Sequence, residues 1–187
     1  MLLKYETKRL VLKVLTPDDA QMVLDFYLRD KELFERFEAD RPAGFYSLSF
    51  QRNTLHTEYG LAMKFSSIRY YVFLKENPTL PIGTVCLYGI SNSFARCELG
   101  YKFSSAFHHH GYALEAVSRC IEIAFSELGI HRICAMVQKE NTSSIRLLGR
   151  LGFKKEGVCR HYMFMKGKWV DHLQYSRISP VSTSPRQ

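Results

Sequence analysis

The run His108-His109-His110-Gly111-Tyr112-Ala113 is where chemistry is easiest to imagine in this chain. It separates a segment with strand alternation from one with helical spacing. A loop rich in free backbone N–H groups at a helix N-terminus binds anions, because its donors and the helix dipole act on the same charge. Gly111 would let the backbone approach a ligand closely, and Ala113 would keep the first helical turn uncrowded. Taken alone, a glycine here also suits an ordinary strand-to-helix turn. Partly protonated imidazoles would favour phosphate nearby, with solvated loop residues as the plain alternative. Three adjacent histidines cannot all face one ion, and no other His, Cys or acid stands at a supporting spacing, so no metal is expected.

The elements that must position this loop can be read from the apolar periods. Residues 7–15 alternate as a first strand, with Leu10, Leu12 and Val14 on one face. Thr16-Pro17-Asp18-Asp19 has the form of a helix start, followed by Ala20, Val23, Leu24, Tyr27 and Leu28 at helical spacing. Further helices are expected over 31–40 and 49–64, and strands over 69–75, 82–90 and 96–103 as an antiparallel meander. The strongest helix covers 111–128, with Glu115 and Arg119 as an i,i+4 pair on its polar side. Residues 132–138 are apolar on both faces, as in a doubly buried strand, and the helix before them makes a parallel crossover. Asn141 or Thr142 caps a short helix that Gly152 ends, and 153–178 form two strands around Lys166-Gly167-Lys168. That gives an α/β (α+β) chain, one domain over 1–178 with a polar tail over 179–187 expected to be disordered.

Composition narrows the classes. With 187 residues, 46% apolar and 24% charged, a packed core needs no staples. The five cysteines are widely spaced and read as small core hydrophobes in a reducing compartment. No apolar leader or span of ~20 residues is present, so a cytoplasmic location without a membrane partner is expected. The net charge of +8 is scattered, with no basic stripe or nucleic-acid module, so a polyanionic small ligand is preferred over nucleic acid.

The segment 108–116 resembles the acetyl-CoA loop of the GNAT superfamily, Q/R-x-x-G-x-G/A. Its Gly-Tyr-Ala-x-Glu-Ala ending is similar to the ribosomal-protein-alanine N-acetyltransferase (RimJ/RimL-like) branch. So are Thr7-Lys8-Arg9-Leu10-Val11-Leu12, the N-x-x-S run from Asn141 to Ser144, Leu151-Gly152-Phe153 with Glu156-Gly157, and the Gly167-to-Asp171 G-x-x-x-D. Two departures stand in the loop itself, where His108 replaces the expected arginine or glutamine and His109 the usual small residue.

The resemblance implies a GNAT fold, a central mixed, mostly antiparallel sheet of about seven strands splayed in the middle, with flanking helices. It implies acetyl-CoA as co-substrate, held by backbone at Tyr101, Lys102 and Phe103, by His108, His109, His110, Gly111, Tyr112 and Ala113, and by Asn141. It implies direct attack of an amine on the thioester, with Glu98 as proton acceptor, directly or through a water, and Ser144 as donor to the leaving thiolate. Glu98 could equally be a solvent-facing strand residue, and Asn141 and Ser144 capping residues alone. The branch's alternative glutamate is missing from 158–163, where His161 could substitute. The acceptor pocket is expected to involve Phe37, Glu38 and Arg41 with the final strands. The acceptor itself is a protein N-terminus or a small-molecule amine, and a non-catalytic acyl-CoA-binding regulator is the remaining alternative.

Overall fold

The computed structural model describes residues 3–180. Among them, strands β1 (Lys4–Glu6), β2 (Leu10–Lys13), β3 (Ile68–Leu74), β4 (Asn77–Ser91), β5 (Arg96–Phe103), β6 (Arg132–Val137), β7 (Lys154–Met165) and β8 (Lys168–Ile178) form one sheet. Its order is β1-β2-β3-β4-β5-β6-β8-β7. Only the β5–β6 ladder is parallel, and its crossover is helix α4 (Tyr112–Ser126). The other helices are α1 (Ala20–Arg29), α2 (Lys31–Glu35), α3 (Leu48–Met63) and α5 (Thr142–Arg150). The mixed, mostly antiparallel sheet with flanking helices is thus as expected, with one strand more.

The two faces are covered by different helices. Leu10 and Leu12 of β2, Val85 and Leu87 of β4, and Ile133 and Ala135 of β6 are buried with Val117, Cys120, Ile121 and Ala124 of α4. Val11, Tyr71 and Phe73 turn the other way, against Val23, Phe26 and Tyr27 of α1, Phe34 of α2 and Leu55 of α3. The period-2 alternation of β2 therefore serves both layers. Each such side chain contributes about 1.5–3 kcal/mol by leaving water.

Several elements differ from expectation for identifiable reasons. The strand expected over 7–15 shortens to Leu10–Lys13 and an extra strand, β1, precedes it, because Thr7 turns the chain between them: its N–H donates to Leu10 O at 3.0 Å. The helix expected over 31–40 stops at Glu35. Strand β4 begins at Asn77 and runs through Pro78 and Pro81, with register shifts on either side of Phe73 absorbing them. Glu115 and Arg119 do not pair with each other; Glu115 binds Arg9, and Arg119 binds Glu122 and Glu127. In β6 one face is buried, but Cys134 and Met136 on the other are only half-buried. Of the tail expected over 179–187, Ser179 still donates its N–H to His131 O at 2.8 Å; 181–187 lie outside the described residues.

Gly83 of β4 sits opposite Phe103 of β5. A Cβ there would lie 2.7 Å from Lys102 O and closer still to the Phe103 ring. Gly83→Ala is expected to lower unfolding free energy by about 1–3 kcal/mol, as overpacking does, measured by urea denaturation.

Candidate active site

The parallel ladder between β5 and β6 is short. It joins Arg96 to Arg132, Cys97 to Ile133 and Glu98 to Cys134, and then stops. Beyond it β5 stays paired with β4 as far as Phe103, and β6 with β8 as far as Val137. The two strands therefore diverge while each keeps its outer partner. Ser104 N–H donates to Ile82 O on the β4 side at 2.9 Å. Backbone groups alternate sides along a strand, so the N–H and C=O of Leu99, Tyr101 and Phe103 turn into the gap. A cavity of about 680 Å³ opens there, walled by β5, β6, α5 and the start of α4.

The loop before α4 closes one end of this cavity. His109 and Gly111 both have left-handed φ, 66° and 78°. Left-handed residues just ahead of a helix can gather successive N–H groups into an anion-binding concavity. Gly111, Tyr112, Ala113 and Leu114 line the cavity, and N–H groups in the first turn of a helix have no partner within it. His108 is occupied otherwise. Its Nε2 is 2.9 Å from Phe103 O, and since a carbonyl only accepts, Nε2 carries the proton.

Two sequence motifs about a hundred residues apart meet behind the loop. Glu115 accepts from Thr7 Oγ1 at 2.6 Å, Arg9 N at 2.8 Å and Arg9 Nε at 2.7 Å. Arg9 also donates to His110 O at 2.9 Å and lies 4.5 Å over the Tyr112 ring. Burial alone would raise the Glu115 carboxyl, but the bonds from Thr7 and Arg9 outweigh it and hold the group below its ordinary value.

Across the gap, α5 presents Ser144. Asn141 caps this helix by accepting from Ser144 N at 3.1 Å, and its side chain also lines the cavity. Ser144 Oγ is 2.7 Å from the Tyr101 hydroxyl. Burial pushes that phenol up to about 12, against a smaller lowering by Ser144, so it stays protonated at neutral pH. Arg146 and Arg150 bring positive charge to the same wall.

The opposite face of the sheet holds a second group. Alternation along β5 puts Glu98 on the other side from Tyr101, directly across from Tyr88 of β4. Glu98 Oε2 is buried without a hydrogen-bond partner. An orphaned carboxylate oxygen is costly, which marks it as functional more readily than structural. Glu98 lies just behind the cavity wall, which Tyr88, Met136 and His172 form at this point. Burial, and then the charge of Glu98, push the hydroxyls of Tyr88 and Tyr162 upward. His172 is 4% exposed and its Nδ1 donates to Val170 O at 3.2 Å, leaving Nε2 as an acceptor.

Of the residues expected at the site, Tyr101, Lys102, Phe103, His108, His109, Gly111, Tyr112, Ala113, Asn141, Ser144, Phe37 and Glu38 line the cavity. Arg41 stands behind Glu38, which it binds at 2.6 Å while Lys102 binds the same carboxylate at 2.5 Å. His110 turns out of the cavity to stack on Tyr112 at 5.6 Å. His161 is exposed on a bulge of β7 and does not line the cavity. Tyr88, Tyr162 and His172 were not legible there, because an aromatic on a strand reads as core; strand pairing puts Tyr88 opposite Glu98, Tyr162 feels the same charge, and His172 packs on Tyr162.

A family model described as an acetyltransferase (GNAT) domain matches residues 9–154. The N-acetyltransferase YoaA of Bacillus subtilis (strain 168) is 31% identical over 181 residues, covering 94% of this chain and 96% of that one. The [Ribosomal protein uS5]-alanine N-acetyltransferase of Escherichia coli (strain K12) is 28% identical over 187 residues, covering 96% and 93%. The crystal structure of ribosomal-protein-S5-alanine acetyltransferase from Vibrio fischeri superposes with a TM-score of 0.89 at 25% identity, covering 96% and 98%. The chain belongs to the GNAT acetyltransferases and is an acetyl-CoA-dependent N-acetyltransferase.

The Glu115 carboxyl, held below its ordinary value of 4.5, gives stability that is complete above that value and is lost as pH falls through the depressed one. Glu115→Gln should therefore lower the thermal midpoint at pH 7 and flatten its decline on the acid side. Midpoints measured between pH 3 and pH 7 check this.

Proposed function

We propose that this enzyme transfers the acetyl group of acetyl-CoA to a protein N-terminal α-amine by direct attack, with Glu98 as proton acceptor and Ser144 as proton donor. The observation that carries the reading is the buried, unpaired Glu98 Oε2 at the point where the β5–β6 ladder ends. Because Glu98 and Tyr101 project from opposite faces of β5, two reactants could enter from opposite sides and meet in the gap. The diverging backbone of Leu99, Tyr101 and Phe103 suits the amide groups of a pantetheine arm, and the loop from His109 to Ala113 suits its pyrophosphate.

An amine of pKa ~8 to ~10 arrives mostly as ammonium. It must lose a proton before or during attack, and Glu98 is the candidate to take it, through an intervening hydroxyl or a water because it stands behind the wall. When the thioester carbon–sulfur bond breaks, Ser144 Oγ–H, aligned by the Tyr101 hydroxyl at 2.7 Å, can give its proton to the sulfur. General acid–base help of this kind is worth about 10²–10⁴-fold. The choice of a protein N-terminus is supported by the relative that acetylates an alanine of ribosomal protein uS5. A mouth bordered by Phe37, Glu38 and Lys102 has the mixed apolar and charged character a peptide needs. A cytoplasmic location goes with this reading.

The test is release of CoA over a panel of N-terminal peptides and polyamines. Peptides should be preferred, and turnover confined to polyamines would overturn the acceptor assignment. Glu98→Gln should lower kcat about 10²-fold and Ser144→Ala about 10-fold or more, both with unchanged acetyl-CoA binding by calorimetry. Unchanged turnover in both variants would sink the assigned roles.

A further inference from the structure

The G-x-x-x-D run at the β7–β8 hairpin has no part in the reading above, yet its aspartate makes a specific contact. Strand β7 loses register with β8 between Cys159 and Met163. At the centre of that irregularity His161 has φ 49°, a conformation costly for a residue with a side chain. The bulge leaves the His161 N–H out of the ladder, and Asp171 Oδ1 accepts it at 2.8 Å. The next residue is Tyr162, whose ring packs against His172 at 4.9 Å. His172 lines the cavity, and Tyr88, the partner of Glu98 across β4 and β5, lines it too. A β-bulge re-aims the side chains beside it. Tyr162 follows the bulge, 37% exposed, and besides burial it is the nearby charge of Glu98 that raises its hydroxyl.

We propose that Asp171 is a positioning residue of the amine site: by holding the His161 bulge it presents Tyr162 between His172 and Glu98, and Tyr162 passes the amine proton to Glu98. The step is a concerted relay. The ammonium N–H bond breaks as its proton goes to the Tyr162 oxygen, while the phenol's own proton goes to Glu98 Oε2, so Tyr162 is neutral before and after. This deepens the proposed acetyl transfer and rests on its assignment of Glu98. It also gives the two hydroxyls around that carboxylate separate duties: Tyr88 walls the cavity, and Tyr162 completes the route to it.

The test uses the full chain, acetyl-CoA and whichever amine of the panel is turned over. Tyr162→Phe should lower kcat about 10-fold or more, leave KM for acetyl-CoA unchanged, and shift the alkaline rise of the rate, since an amine that is already neutral needs no relay. Asp171→Ala should match it. Asp171→Asn, which keeps an oxygen to accept the His161 N–H, should restore most of the rate. The double variant Asp171→Ala/Tyr162→Phe should be no slower than Tyr162→Phe alone, because both changes remove one function. Multiplicative loss in the double variant would overturn the proposal. So would full activity in Tyr162→Phe, or failure of Asn to rescue when Asp171→Ala is impaired. If Asp171→Ala does not fold, the Asp171→Asn and Tyr162→Phe pair decides by the same rate and pH criteria. Glu98→Gln, run alongside, separates the two levels: its loss of turnover with Tyr162→Phe unaffected rejects the relay only, whereas its full activity rejects the base assignment beneath it.

Discussion

The structure depends on where one parallel ladder ends. Hydrogen bonds between β5 and β6 stop after Glu98 and Cys134, although each strand continues with its outer neighbour. A sheet normally leaves no backbone polar group unpaired in its middle, because the cost is that of a lost hydrogen bond. The break is therefore tolerable only if something else meets those groups. One inner carbonyl, that of Phe103, is met by the His108 imidazole. The others are available to an extended ligand, which adds to the sheet as a partial strand would. Everything that makes the site follows from this divergence: the cavity, the access from two faces, and the placing of Glu98 at its vertex.

Holding the strands apart requires rigid walls, and the walls are tied from a distance. Thr7 and Arg9, near the start of the chain, bind Glu115 on α4 and so fix the angle at which that helix meets the loop. Arg9 also takes the His110 carbonyl, removing an oxygen dipole that would oppose an anion. Asp30, at the junction of α1 and α2, accepts from both N and Oγ of Ser105 and anchors the turn after β5. The cavity end is thus fixed by side chains from segments that contribute no chemistry. That arrangement keeps the ligand-binding backbone in one geometry before binding, which lowers the ordering cost of binding itself.

The sequence made the meander, the long helix, the crossover and the loop legible because each rests on local periodicity or on a glycine with one conformational purpose. Gly111 and Gly152 are left-handed, as their positions require. What could not be read was anything set by pairing. Thr7 alternates with its neighbours as a strand residue would, and only its bonds to Leu10 and Glu115 explain the turn there. Pro78 and Pro81 argue for a loop locally, whereas two register shifts keep them in β4. Arg119 sits at ideal spacing from Glu115 but pairs with Glu122 and Glu127, because Thr7 and Arg9 already take the Glu115 carboxylate. In the site, the loop was legible from its glycine and the helix behind it, and Ser144 only through the family resemblance. Tyr88, Tyr162 and His172 were not, since their meeting depends on strand order and on a bulge.

The backbone's left-handed residues at the site carry a further lesson. His109 and His161 both adopt φ values that a side chain disfavours, at 66° and 49°. In each case a group from another segment holds the neighbouring peptide: Arg9 takes the His110 carbonyl, and Asp171 takes the His161 N–H. Without such bonds a strained conformation relaxes, at a gain of order 1–3 kcal/mol. With them, the strain is sustained by contacts whose own residues lie outside the cavity. Function is then exposed to substitutions at positions that touch no reactant. The loop before α4 is held by Arg9, just ahead of β2, and the bulge of β7 by Asp171 of β8, so the two ends of the proposed site are positioned by separate bonds. A change at Arg9 should loosen one without the other, and a change at Asp171 the reverse.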